Sequence, residues 1–197
     1  MAPLPLPELS PDQRQTLLAV ARRSIAWGLR EGRPLPVAPE EFPEPLRARR
    51  AAFVTLTVGG ELRGCIGHLE ARQPLVRDVA DNAFAAAFRD PRFPPVAGWE
   101  LERLRIGISV LTPATPLSFG SEAELLAQIE PGLDGLILED GLARGTFLPS
   151  VWSSLPDRRD FLRHLKLKAG LPVDHWSERL RVSRYRTESF GEGEVEV

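Results

Sequence analysis

The sequence predicts an α+β fold built mainly on antiparallel sheets. Helical and hairpin patterns are interspersed, without the regular strand–helix alternation of a parallel sheet. Gly59-Gly60 and Asp140-Gly141 each separate two strand-like runs, and both are dipeptides that short hairpin turns favour. With 197 residues, 43% hydrophobic and 26% charged, the chain can bury roughly 70% of its unfolded surface without a disulfide or metal. The formal net charge of −2 exerts no global pull on nucleic acid or an anionic membrane. One cysteine cannot form an intramolecular disulfide and fits a reducing compartment. The longest apolar run, Ala83 to Phe88, is too short to span a bilayer, and the start has no basic region followed by an apolar core. A cytoplasmic location is expected, without membrane attachment.

Each element has a local reason. Residues 1–9 read as a loose arm because of Pro3, Pro5 and Pro7. Ser10 and Gln13 form a capping box around Pro11, and Leu17, Leu18, Ala21, Ile25 and Leu29 follow at helical spacing until Gly32. Five prolines between Pro34 and Pro45 impose an irregular connector with at most a short helical turn. Pro74 opens a helix with Leu75, Val79, Ala83 and Phe84 on its buried stripe, which stops at Asp90-Pro91. LRIGISVL, Leu104 to Leu111, is a strand. Ser121 and Glu124 start a further helix that Pro131 closes. Asp157 caps a helix carrying Phe161, Leu162 and Leu165, with Gly170 at its end. A last strand is predicted from Leu180 to Ser189, before an acidic tail at 191–197.

The central stretch is LRGCIG, Leu62 to Gly67, which holds the only cysteine. A two-residue turn at Gly59-Gly60 pairs Val58 with Glu61, Leu56 with Arg63 and Val54 with Cys65. Arg63 and Cys65 then share a face with Val54 and Leu56. Both faces of this hairpin are largely apolar, so both are expected to be covered.

Dinucleotide, P-loop and nucleophile-elbow fingerprints are absent. His68, His164 and His175 lack close ligand spacing, so no metal and no cofactor are expected. The order of FVTLTVGGELRGCIG, DPRFPPV, LRIGISVLTP, DGLILEDG and FLRHLKLKAGLPVDHW resembles the AMME chromosomal region domain family, protein A of the AmmeMemoRadiSam system. The resemblance covers roughly residues 10 to 190. It implies two unequal, nested α/β subdomains, the larger holding both chain ends, with LRGCIG facing a cleft between them. It also implies association with Memo-like and radical-SAM proteins. Two positions depart from the family pattern. Ser150 stands where glutamine is frequent, and Lys166 where a cysteine is frequent, so a mechanism with two thiols in one chain is excluded.

The candidate catalytic residues are Cys65 and His68, and the candidate cleft or substrate-binding residues are Arg63, Gly64, Ile66, Gly67, Asn82, Asp90 and Arg92. Cys65 is read as a thiol nucleophile, a residue lining the cleft, or a small buried residue. Gly64 and Gly67 permit close approach of a backbone or ligand, and Ile66, between them in the motif, is expected to line the cleft. Arg63 must be paired, either with a substrate carboxylate or phosphate or with a carboxylate of the chain such as Asp90 or Asp134. Asn82 faces the cleft or belongs to the polar side of its helix. Asp90 and Arg92 belong to a rigid turn, and His68 is the candidate acid or base. The basic residues between Arg158 and Arg186 are diluted by acidic neighbours, which argues against nucleic acid. The leading expectation is an accessory or substrate-binding component of a protein or RNA modification pathway. The alternatives are a stand-alone enzyme using Cys65 and a protein–protein adaptor.

Overall fold

The structure, a computed structural model, describes residues 8–193. In chain order its elements are α1 (Pro11–Glu31), α2 (Glu44–Arg47), β1 (Ala52–Val58), β2 (Glu61–Gly67), α3 (Leu75–Phe88) and β3 (Leu104–Leu111). They continue with β4 (Thr115–Pro116), α4 (Glu122–Gln128), β5 (Gly135–Asp140), β6 (Ala143–Phe147), α5 (Arg158–Lys168), β7 (Arg181–Tyr185) and β8 (Thr187–Gly191). Among the described residues the fold is α+β, with two four-stranded antiparallel sheets. The chain forms two compact units, a larger one from the described start to Leu111 and again from Glu188, and a smaller one over Thr112–Thr187.

In the larger unit the sheet order is β2-β1-β3-β8. The predicted capping box starts α1: Ser10 Oγ accepts the Gln13 N–H at 3.3 Å, and Gln13 Oε1 accepts the Ser10 N–H at 2.9 Å. One face of the sheet carries Val54, Leu56, Ile106 and Ile108, which pack in one core with Leu17, Ala21 and Ile25 of α1 and Val79 and Ala83 of α3. The expected loose arm lies outside the described residues up to residue 7. Leu9 itself is buried, and its N–H donates to Glu188 Oε1 at 2.9 Å.

The hairpin register differs from the expectation. Val58 pairs with Glu61 and Thr57 with Leu62, but Leu56 then pairs with Gly64, Thr55 with Cys65 and Val54 with Ile66. Arg63 is the extra residue of a β-bulge, which an edge strand tolerates easily. The one-residue slip moves Cys65 off the Val54–Leu56 face onto the opposite one, with Thr55 and Gly107 in the same cross-strand row. That face is only half buried, not covered as the apolar pattern suggested.

The smaller unit has sheet order β4-β7-β5-β6. Leu136, Leu138 and Val182 face α5 residues Phe161 and Leu165 in a separate core. Trp152 stacks on Phe161 at 3.7 Å between ring centroids, and its Nε1–H donates to the Asp134 carbonyl at 2.7 Å. Asp140 pairs with Ala143, so the turn is Gly141-Leu142 rather than Asp140-Gly141. The single strand expected over 180–189 divides at Arg186 into β7 and β8, which belong to different sheets.

Candidate functional site

Because β2 is a sheet edge, alternate N–H and C=O groups point away from β1 without a strand to bind them. At Cys65 side chains of the DPRF turn take that role. The Cys65 N–H donates to Asp90 Oδ2 at 2.9 Å, and Arg92 Nη2 donates to the Cys65 carbonyl at 3.3 Å. Arg92 also grips Asp90, through Nη2 to Oδ2 at 2.7 Å and Nε to Oδ1 at 3.0 Å. The Asp90 side chain is 2% exposed. Its bonds to Arg92 first, then to the Cys65 and Arg92 N–H groups, hold its carboxyl well below the usual carboxylate range. The Cys65 thiol is half-buried, 3.3 Å from the Thr55 hydroxyl, with the Arg92 charge within electrostatic reach.

The other LRGCIG residues serve packing and pairing. A Cβ on Gly64 would stand 2.1 Å from the Ala86 carbonyl oxygen of α3, so β2 and α3 approach too closely for any side chain there. A Cβ on Gly67 would lie 2.4 Å from the Phe53 ring. Ile66 packs on the main core. Arg63 makes a bidentate pair with Glu100, Nε to Oε1 at 2.8 Å and Nη2 to Oε2 at 3.0 Å, and donates to the Pro94 carbonyl at 2.9 Å. Its partner is thus a carboxylate of the same unit, but not Asp90 or Asp134. Glu100 also accepts the Ala97 N–H at 2.8 Å, and Arg63 depresses its carboxyl pKa.

Asn82 is buried rather than on a solvated helix face. Its Nδ2 donates to the Ala52 carbonyl at 3.1 Å and to Asp78 Oδ2 at 2.9 Å, while Asp78 Oδ2 accepts the Ala52 N–H at 3.0 Å. The i,i+4 pair on α3 therefore satisfies both backbone groups of the residue that opens β1. Burial pushes the Asp78 carboxyl up despite these bonds. His68, the candidate acid or base, is exposed.

Sequence reasoning missed Glu100, Asp78 and the Asp90–Arg92 grip on the strand edge. Spacing could have found only the Asp78–Asn82 pair, since Asp90 and Arg92 lie in a turn and Glu100 in a single 3-10 turn. In the smaller unit, Lys166 is fully buried with its Nζ 2.6 Å from Glu122 Oε2. Asp140 Oδ2 accepts from His175 Nε2 and Ser177 Oγ, both at 2.6 Å. Among the described residues, no group of three or more His, Cys, Asp or Glu is placed to hold a metal ion. No described helix is long and apolar enough to cross a membrane.

The chain and its fold resemble those of known proteins. The AMMECR1 family model matches residues 18–190. A Methanothermobacter thermautotrophicus protein is 42% identical over 186 residues, covering 93% of this chain and 96% of its own. A Methanocaldococcus jannaschii protein is 40% identical over 163 residues, 79% of each chain. The crystal structure of an uncharacterized protein from Pyrococcus horikoshii superposes with a TM-score of 0.79 at 36% identity, over 90% of both chains. The chain belongs to the AMMECR1 family.

Proposed function

We propose that this chain is a binding component of a protein or RNA modification pathway, acting with Memo-like and radical-SAM proteins through the β2 edge and the Asp90–Phe93 turn. The observation that carries the reading is that the charged groups around Cys65 are already engaged. Arg63 is held by Glu100 and Asp90 by Arg92, and the thiol's hydrogen-bond contact is the Thr55 hydroxyl. A nucleophile is activated by an adjacent base or cation held for that purpose. Groups fixed by their own fold suit recognition by a preorganised surface. Beside the thiol, the row Cys65, Thr55, Gly107 offers space, since a Cβ on Gly107 would meet nothing closer than 4.0 Å.

The test is calorimetric titration of the Memo-like and radical-SAM proteins of the same organism into wild type, Cys65→Ala and Arg92→Ala. Binding that survives Cys65→Ala and weakens with Arg92→Ala supports the reading. Absence of binding to either protein sinks it.

The Arg92 charge near Cys65 favours a second reading, a stand-alone enzyme with Cys65 as nucleophile. That reading requires a covalent adduct on Cys65, detectable by mass spectrometry after incubation with a substrate extract.

A further inference from the structure

Arg50 precedes β1, and its side chain is 3% exposed. A guanidinium carries five donors, and burying one without acceptors is costly. Here, among the described residues, Nε is enclosed without a hydrogen-bond partner. Nη2 meets Glu188 Oε2 at 3.7 Å, beyond hydrogen-bond reach. Glu188 is committed elsewhere. Its Oε1 accepts the Leu9 N–H at 2.9 Å and Arg14 Nε at 3.2 Å, with Arg14 Nη2 at 3.1 Å. Two arginines thus share one carboxylate, and the more buried one has the poorer contact. Burial lowers the Arg50 pKa more than Glu188 restores it. The neighbouring Arg14 and Glu188 side chains are 29% and 14% exposed, so Arg14 forms the solvent-facing side of the cluster and Arg50 its buried side.

We propose that Arg50 and Arg14 form a binding site for an oxyanion, a phosphate or a carboxylate, which supplies the acceptors Glu188 leaves unmet. The site is separate from the β2 edge, and its existence does not depend on the function proposed for that edge.

The experiment uses the full chain at neutral pH and constant ionic strength, with sodium chloride, acetate or phosphate as the probe. Thermal unfolding reads binding because an anion that binds only the folded state raises the midpoint. Phosphate stabilises folded proteins generally by exclusion from their surface, so the assignment is read from the increment over chloride that depends on Arg50: one seen with phosphate assigns a phosphoryl ligand, and one seen with acetate a carboxylate. Arg50→Met should abolish that increment and weaken calorimetric affinity at least about tenfold. Should Arg50→Met not fold, Glu188→Gln keeps the test, since removing the competing carboxylate should tighten binding. Phosphate and acetate responses no larger than chloride overturn the proposal, as does a Glu188→Gln variant with unchanged affinity.

Discussion

Gly64 and Asp78 show how single residues constrain this fold. Gly64→Ala would drive a methyl group into the Ala86 carbonyl of α3. We expect a loss of at least about 2 kcal/mol, typical of overpacking against atoms that cannot yield, read as a lower urea midpoint. An unchanged midpoint would contradict the close approach. Asp78 is a buried carboxylate with a raised pKa. Its unfolded form ionises first, so the folded state is fully favoured below about pH 4 and loses ground as pH rises through the folded pKa. Asp78→Asn keeps an acceptor for Ala52 and removes the buried charge. The variant should gain stability relative to wild type between pH 4 and pH 7 in denaturant titrations. Residue types were legible here and contacts were not. The sequence required a partner for Arg63 but left open a substrate group or a carboxylate of the chain, and only the short helical turn that delivers Glu100 says which.

At the scale of elements, the edge of β2 is closed by side chains. Asp90→Ala removes the acceptor of the Cys65 N–H, so this amide should exchange with deuterium faster than its neighbours on β1. Equal protection in both proteins would mean Asp90 does not hold the edge. The carboxyl of Asp90 is depressed, so its contribution is present above about pH 4 and is lost as pH falls through the lowered value. The stability gap between wild type and Asp90→Asn should therefore be constant near neutrality and shrink in strong acid, a trend opposite to that of Asp78. Helix ends were readable because Ser10, Ser121 and Asp157 cap them locally. The register of β2 was not, because a bulge inserts one residue without changing the turn that precedes it. The division of 180–189 into β7 and β8 was hidden for a similar reason: alternation describes a strand but does not name its sheet.

For the whole molecule, the antiparallel α+β class followed from interspersed hairpins and helices, while the exchange of strands between sheets depends on long-range pairing. The smaller unit begins and ends at one place, with the Thr112 N–H donating to the Arg186 carbonyl at 2.9 Å. It has its own core around Leu136, Phe161 and Trp152. A fragment of residues 112–187 should fold alone, with a cooperative thermal transition by circular dichroism, and a featureless melt would show that its core is insufficient. Whether Cys65 belongs to a preorganised binding surface or acts as a thiol nucleophile is decided by its alkylation rate at neutral pH in the folded and the denatured chain. With one cysteine the signal has a single source. A half-buried thiol bonded to Thr55 should react more slowly in the folded protein, whereas a rate faster than that of the denatured chain would mean an activated nucleophile and contradict the binding-surface reading.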